Sequence, residues 1–121
     1  YGHSASDTVL KGLTATVHSA MRNTDLFARY CGEEFILFLP QTSLELARLC
    51  MERIMQAMQL VSFEGLPPDL RVTMSVGIAQ YYLSEDTATI IGRGDAALYN
   101  AKRRGRNRIE LAKFSPCAAV R

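Results

Sequence analysis

Two adjacent carboxylates stand directly before an unbroken apolar run, and this junction limits the possible folds more than any other feature. The stretch RYCGEEFILFLP covers residues 29–40, where Glu33 and Glu34 precede apolar side chains from Phe35 to Leu39. A strand that is apolar on both faces is typical of the centre of a sheet covered by helices. Unpaired carboxylates are costly in such an interior. We therefore expect the acids at the exposed tip of a hairpin, whose connection is residues 31–33.

The rest of the chain alternates between helical and extended patterns. The predicted elements are a helix over 6–21, strands over Leu26–Tyr30 and Glu34–Leu39, a helix over 42–60, a strand over 71–80, a helix over Thr87–Arg104 and a strand over Asn107–Leu111. Ser4 with Asp7, and Thr42 with Glu45, have the spacing of capping boxes at two helix starts. Gly105 is expected just past the last helix. The predicted buried stripe of the second helix is Leu44, Ala47, Met51, Ile54, Met55 and Met58. The order of the predicted helices and strands indicates an α+β domain with a mainly antiparallel central sheet flanked by helices.

Composition and charge exclude several classes of function. The 121 residues suffice for one domain, and the net charge of +2 gives no strong field for nucleic acid. No apolar run is long enough to cross a bilayer, so we expect membrane attachment only through other parts of a longer protein. Three cysteines without CxxC spacing favour a reducing, cytoplasmic location. Because Tyr1 is not an initiator, the chain is interpreted as a piece of a longer signalling protein.

The sequence RYCGEEF resembles the signature loop of the GGDEF family, the bacterial diguanylate cyclases, in its common GGEEF form. Three further stretches are similar to family patterns in order and spacing: YGHSASDTVL, VTMSVGIA and GDAALYNAKRRGRNRI. The resemblance covers nearly the whole chain, with residues 1–111 as the domain and 112–121 as a tail. It implies a ferredoxin-like fold similar to the palm of nucleotide polymerases.

The same resemblance implies a nucleotidyltransferase reaction. The family condenses two GTP molecules into cyclic di-GMP and releases two pyrophosphates. Two domains face each other, and each holds one GTP together with Mg²⁺ or Mn²⁺. The 3′-hydroxyl of one nucleotide attacks the α-phosphate of the other, so catalysis consists of positioning and of neutralising phosphoryl charge.

The resemblance also implies roles for residues of the first helix and the hairpin. Glu33 would bind the metal, Glu34 would support the metal and the attacking hydroxyl, and Gly32 would let the nucleotide pass close to the backbone. Asp7 would hydrogen-bond the guanine edge, and Leu10 would pack near the base. Two alternatives remain open from the residues alone: the acids form a solvated turn, and Asp7 only caps its helix.

Further along the chain, Lys102 and Arg106 would hold the triphosphate, and their spacing of four places them on one side of the helix end. The alternative is a solvated basic face. Arg22 and Asp25 have the placement of the RxxD inhibitory site of the family, where cyclic di-GMP binds as product, and Arg53 would supply a second arginine. The alternative for the Arg22–Asp25 pair is a surface ion pair in a turn.

The chain departs from the family pattern at several points. Cys31 and Ser6 replace glycines, and Gly94 replaces an alanine. The D-x-D-x-F-K-x-x-N-D strand that precedes Y-G-H in the family lies outside the printed sequence. We therefore expect no useful turnover from this chain alone, and self-association as a homodimer or a strand-exchanged oligomer. The alternative function is a degenerate, non-catalytic receptor for cyclic di-GMP or GTP.

Overall fold

The structure, a computed structural model, describes residues 3–31, 34–82 and 84–112. Its elements run in the order α1 (His3–Ala20), β1 (Leu26–Cys31), β2 (Glu34–Phe38), α2 (Leu44–Gln59), β3 (Val76–Ile78), α3 (Thr87–Arg103) and β4 (Ile109–Leu111). The three helices and the short strands confirm the predicted α+β class. Within the described ranges, no helix has the length and apolar character needed to cross a bilayer. Apart from Ala112, the predicted tail lies outside the described residues.

The chain divides into two compact units. The first unit joins Tyr1–Thr42 to Leu49–Thr73, and the second joins Ser43–Arg48 to Met74–Arg121. The first unit contains a two-stranded sheet of β1 and β2, and the second contains a two-stranded sheet of β3 and β4.

Helix α1 begins at His3, three residues earlier than the predicted start at position 6. Val17 belongs to the predicted apolar stripe and is 1% exposed. Gly12 lets the Phe63 ring lie against the helix, because a Cβ at this position would be 2.6 Å from Phe63 Cε1. The burial of these side chains fixes which face of α1 remains at the surface.

Strands β1 and β2 form the predicted antiparallel hairpin. Leu26 lies opposite Phe38 at the base, and Cys31 lies opposite Glu34 at the tip. The register shifts between Arg29 and Cys31, which marks a bulge or irregularity. The backbone pairing therefore includes Cys31, which the sequence predicts to lie in the connection.

The prediction that β2 is buried on both faces is wrong. Its residues are half-buried up to Leu37, and Phe38 is 52% exposed. In the described part of the chain, β2 pairs with β1 alone. A short apolar run thus does not by itself place a strand at the centre of a sheet.

Helix α2 begins at Leu44, and its N-cap is Ser43 rather than the predicted Thr42. The Ser43 hydroxyl accepts a hydrogen bond from the Leu46 N–H at 3.1 Å. The Thr42 hydroxyl instead donates to the Pro40 carbonyl at 3.0 Å. The buried members of the predicted stripe are Ala47, Met51, Ile54 and Met58.

Strands β3 and β4 pair in parallel, because α3 connects them as a crossover. The described strands thus form one antiparallel pair and one parallel pair. β3 covers only Val76–Ile78 of the strand predicted over 71–80, because β4, its described partner, is equally short. Helix α3 packs closely on β3, since a Cβ at Gly77 would lie 2.3 Å from Leu98 N and 2.4 Å from the Gly94 carbonyl oxygen.

Both ends of α3 are capped. The Asp86 carboxylate accepts a hydrogen bond from the Thr89 N–H at 2.8 Å. At the other end Gly105, as predicted, lies past the C-cap with φ of 116°. The Arg106 N–H then donates to the Ala101 carbonyl at 2.9 Å. This bond has the pattern of a Schellman motif, which reverses the chain toward β4.

Candidate functional site

A groove of about 590 Å³ is lined by residues of one face of α1 and by residues of the β1–β2 hairpin. Asp7, Leu10 and His18 line it from the helix, and Phe27 and Phe35 line it from the hairpin. The Phe27 and Phe35 rings are stacked with centroids 5.2 Å apart, and His18 meets Phe27 edge-on at 6.1 Å. The structure thus brings the predicted pair Asp7 and Leu10 together beside a flat aromatic surface.

Asp7 lies inside α1 and not at its start. The helix begins at His3, and its first turn contains no acidic residue. The alternative that Asp7 caps the helix is therefore wrong. The side chain of Ser4, the predicted cap, lies outside the described residues. Asp7 is exposed and lines the groove from the second turn of the helix.

The acidic loop lies only partly within the described residues. Gly32 and Glu33 fall outside them, whereas Glu34 opens β2 and is half-buried. Because neighbouring side chains of a strand point to opposite faces, Glu34 and the groove-lining Phe35 lie on different faces of the hairpin. The structure therefore does not bring Glu34 into the groove with Asp7.

A site for Mg²⁺ or Mn²⁺ needs several oxygen ligands. Among the described residues, no three His, Cys, Asp or Glu side chains come close enough to hold a metal ion. The described side chains alone therefore do not form such a site. The expected ligand Glu33 lies outside them.

Arg22 and Asp25 form a close pair in the turn between α1 and β1. Arg22 Nη2 donates to Asp25 Oδ1 at 2.8 Å, and Arg22 Nε lies 3.1 Å from the same oxygen. The Arg22 backbone N–H donates to Asp25 Oδ2 at 2.9 Å. The Asp25 side chain is only 2% exposed, against 53% for Arg22. The alternative of a surface ion pair is thus correct about the pairing and wrong about the carboxylate, which is buried.

The same guanidinium also contacts the segment that follows β2. Arg22 Nη2 donates to the Pro40 carbonyl at 2.9 Å and to the Thr42 hydroxyl at 2.6 Å. These bonds join the turn before β1 to the chain after β2. The orientation of Arg22 is therefore fixed by the backbone on both sides of the hairpin.

The charges around this pair act on each other and on a nearby thiol. The hydrogen bond from the Arg22 side chain is the main cause that lowers the pKa of Asp25 below its ordinary value. Burial raises the pKa of the Cys50 thiol, and the charges of Asp25, Arg53 and Arg22 also act on it. The expected third member of the inhibitory site, Arg53, lies on α2 in the same unit as the pair.

Lys102 and Arg106 belong to the second unit, at the end of α3. Lys102 is half-buried in the last turn, whereas Arg106 is exposed and has φ of 62°. The helix ends at Arg103, so the spacing of four does not place the two cations on one side of a helix, contrary to the sequence argument. Their phosphate-binding role depends on the family pattern.

A known protein family matches the chain over nearly its whole length. The family is described as diguanylate cyclase, GGDEF domain, and its sequence model matches residues 1–108. The chain belongs to the GGDEF domain family. The predicted resemblance is confirmed.

Curated relatives of this GGDEF domain are named diguanylate cyclases. DgcM of Escherichia coli is 44% identical over 112 residues, which cover 93% of this chain and 27% of DgcM. DgcP of Pseudomonas aeruginosa is 40% identical over 112 residues, which cover 93% of this chain and 17% of DgcP. The chain thus spans less than a third of the length of either relative.

Solved GGDEF domains have the same fold. The active GGEEF domain of a diguanylate cyclase from Vibrio cholerae aligns with a TM-score of 0.84 at 33% identity, covering 95% of this chain and 73% of that one. The GGDEF domain of DgcB from Caulobacter crescentus, solved in complex with c-di-GMP, aligns with a TM-score of 0.86 at 27% identity, covering 94% and 68%. These alignments confirm the predicted fold class.

The groove of this GGDEF domain also contains residues that the sequence analysis missed. Lys11 and Arg29 place two cations along it, and Phe27 and Phe35 form its stacked aromatic pair. Lys11 follows Asp7 by four residues, so helical spacing could have found it. The aromatic pair depends on the hairpin register, which the sequence alone did not specify.

Proposed function

We propose that this GGDEF domain is the catalytic domain of a diguanylate cyclase that condenses two GTP molecules into cyclic di-GMP and two pyrophosphates. The observation that carries the proposal is the groove in which Asp7 and Leu10 lie beside the stacked Phe27 and Phe35. An ionised carboxylate only accepts hydrogen bonds. Guanine offers neighbouring N–H donors on one edge, and its flat ring suits an aromatic and aliphatic surface. The groove therefore favours guanine over a base whose edge mainly accepts hydrogen bonds.

In this proposal the loop residues act at the reacting atoms. Glu33 binds the Mg²⁺ or Mn²⁺ ion, Glu34 supports the attacking 3′-hydroxyl, and Gly32 lets the nucleotide approach the backbone. The 3′-oxygen of one GTP forms a bond to the α-phosphorus of the other, and the bond from that phosphorus to pyrophosphate breaks. Two domains are needed because each supplies one nucleotide, so the working form is a homodimer.

Lys102 and Arg106 would bind the triphosphate in the same scheme. Two cations neutralise charge that moves onto the departing pyrophosphate, which lowers the barrier to phosphoryl transfer. Their order in the sequence, Lys102 at the end of α3 and Arg106 in the turn beyond it, allows the two groups to approach from different directions.

The test is product formation from GTP and Mg²⁺, followed by chromatography. It uses this chain preceded by the D-x-D-x-F-K-x-x-N-D segment that the family pattern implies. We expect cyclic di-GMP from this protein and none from its Glu33→Ala variant. Glu64→Ala removes an exposed acid from a loop of the same unit and serves as the matched control. Near-normal turnover by Glu33→Ala would contradict the role of Glu33, and no turnover by the parent protein would contradict the cyclase assignment.

A second candidate function is a non-catalytic receptor for cyclic di-GMP. It is favoured by the Arg22–Asp25 pair at the placement of the family's inhibitory site, and by Cys31 and Ser6 at positions where the family has glycine. A receptor would bind cyclic di-GMP and make none in the assay above. A cyclase with product inhibition would do both.

A further inference from the structure

The turn after α3 carries several cations, and the structure gives each a different environment. The Arg103 guanidinium lies over the Tyr99 ring, 5.7 Å from its centroid. Arg104 and Arg108 both approach the carboxylate of Glu110. Arg106 lies between them in sequence and is exposed. Arg106 therefore differs from Arg104 and Arg108, because those two arginines approach Glu110.

The backbone of this turn adopts a conformation that side chains disfavour. Gly105, Arg106 and Asn107 have φ values of 116°, 62° and 48°. A non-glycine residue in the left-handed region costs on the order of 1 kcal/mol and persists only where its surroundings determine it. The Arg106 N–H is held by the Ala101 carbonyl at 2.9 Å. The turn is thus anchored to α3 at its beginning.

The other end of the turn is anchored to the sheet. The Val76 N–H donates to the Arg108 carbonyl at 3.0 Å, and Glu110 lies opposite Gly77 in the parallel pair of β3 and β4. Glu110 thus sits on a strand whose position is fixed by backbone hydrogen bonds. Its side chain is 21% exposed, so the carboxylate is partly shielded from water.

The two oxygens of Glu110 are divided between the two arginines. Arg104 Nη1 lies 3.1 Å from Glu110 Oε1, and Arg108 Nη1 lies 3.9 Å from Oε2. One carboxylate therefore accepts a hydrogen bond from an arginine that precedes Arg106 and forms a longer ion pair with an arginine that follows it. Both neighbours approach Glu110, and Arg106 makes neither contact.

We propose that Glu110 is a positioning residue that presents Arg106 to the triphosphate by retaining Arg104 and Arg108. This inference rests on the proposed function, in which Arg106 binds GTP. Without Glu110, the two neighbouring guanidinium groups compete for the phosphates, and the left-handed backbone at Arg106 loses one of its restraints. The phosphates then bind in several arrangements instead of one.

The sign of the effect on affinity separates this role from simple electrostatics. Glu110→Gln removes a negative charge near a cationic site, so charge alone predicts tighter binding of an anion. Positioning predicts weaker binding. Asp95→Asn removes the same charge from an exposed position on α3 and is the matched control. Exposed ion pairs contribute little to stability. The thermal midpoints of the two variants should therefore be similar.

The experiment measures binding of α,β-methylene GTP, which cannot react, to this chain by calorimetry in the presence of Mg²⁺. We expect Glu110→Gln to weaken binding about fivefold, as a coupling of about 1 kcal/mol implies. Asp95→Asn should leave binding unchanged or slightly tighter, and Arg106→Ala should weaken it at least as much as Glu110→Gln. In the absence of nucleotide, the coupling between the amide and α protons of Arg106, which reports φ, should change in Glu110→Gln and not in Asp95→Asn.

The outcomes distinguish the two proposals. If Arg106→Ala weakens binding while Glu110→Gln matches Asp95→Asn, the positioning role is overturned and the phosphate role of Arg106 stands. If Arg106→Ala has no effect or the parent chain does not bind the analogue, the proposed function fails and the positioning role fails with it. A changed Arg106 coupling would then show only that Glu110 shapes the turn.

Discussion

The buried carboxylate of Asp25 is held by the half-exposed guanidinium of Arg22, with 2.8 Å between Arg22 Nη2 and Asp25 Oδ1. The two partners are therefore not equivalent. Removing the arginine leaves a charge in a place with little water, whereas removing the carboxylate leaves an arginine that still reaches solvent. Removing the exposed partner, which leaves the buried charge unpaired, is therefore the more costly change.

We expect Arg22→Met to lower the thermal midpoint at pH 7 more than Asp25→Asn does. The measurement is a melting curve by circular dichroism, with Arg71→Met, at an exposed loop arginine of the same unit, as the control. Equal losses for the two variants would contradict the asymmetry. A smaller loss for Arg22→Met would contradict it more strongly.

The stability difference between the wild type and Asp25→Asn should depend on pH in one direction. The pKa of Asp25 is lowered in the folded chain, mainly by the hydrogen bond from Arg22. A lowered pKa means that the stabilisation is fully present above the ordinary carboxyl pKa of about 4 and is lost as the pH falls through the folded value. The thermal midpoints of the wild type and Asp25→Asn, measured from pH 7 to pH 3, should therefore converge at the acidic end. A difference that stays constant, or grows toward low pH, would contradict this linkage.

Cyclic di-GMP should bind to this chain through Arg22 and Asp25. Arginine suits bidentate contact with guanine or phosphate, and the family pattern implies a second cation from Arg53. Calorimetric titration should give binding by the wild type and at least a tenfold loss for Arg22→Ala, the equivalent of about 1.4 kcal/mol. Arg71→Ala should match the wild type. Absence of binding by the wild type, or equal affinity of the two variants, would remove the inhibitory-site proposal.

The packing of α3 on β3 should depend on one glycine. At Gly77 an added Cβ would meet backbone atoms at 2.3 and 2.4 Å, which only movement of the helix can relieve. We expect Gly77→Ala to lower the free energy of unfolding by about 3 kcal/mol or more. Gly92→Ala is the matched control because no atom beyond its own stretch of helix backbone lies within 4 Å of its added Cβ, and it should stabilise the helix by about 1 kcal/mol. Urea unfolding measures both. A tolerated Gly77→Ala would contradict the close approach of α3.

Local patterns in the sequence predicted the helices and the hairpin well. Hydrophobic spacing predicted the end of α3 to within one residue. The preference for glycine just past a helix C-cap placed Gly105 correctly. These features depend on neighbours in the chain, which is the information that periodicity and capping carry. The predicted N-cap of α2 was wrong by one residue. Ser43 and Thr42 are both good caps, and the contact of Arg22 with Thr42 decides between them.

Features that depend on distant parts of the chain were harder to predict. The parallel pairing of β3 with β4 follows from the crossover of α3, and the position of the Arg22 guanidinium depends on its contacts with Pro40 and Thr42. For the site, the family pattern indicated Asp7 and Leu10, and the structure places both on one groove. It gave no sign that the Arg106 backbone is left-handed, because that conformation is a property of the turn and not of the residue.

The assignment of the α1–hairpin groove as a guanine site is tested most directly by comparing the binding of GTP and ATP to this chain. The Asp7 carboxylate should accept hydrogen bonds from guanine that adenine cannot donate in the same way, so GTP should bind more tightly. Asp7→Ala should remove about tenfold or more of that preference, since a hydrogen bond to a charged group contributes roughly 1.5–3 kcal/mol. Asp69→Ala, at an exposed loop acid, should preserve it. A chain that binds GTP and ATP equally, or an Asp7→Ala variant with an unchanged preference, would contradict the assignment.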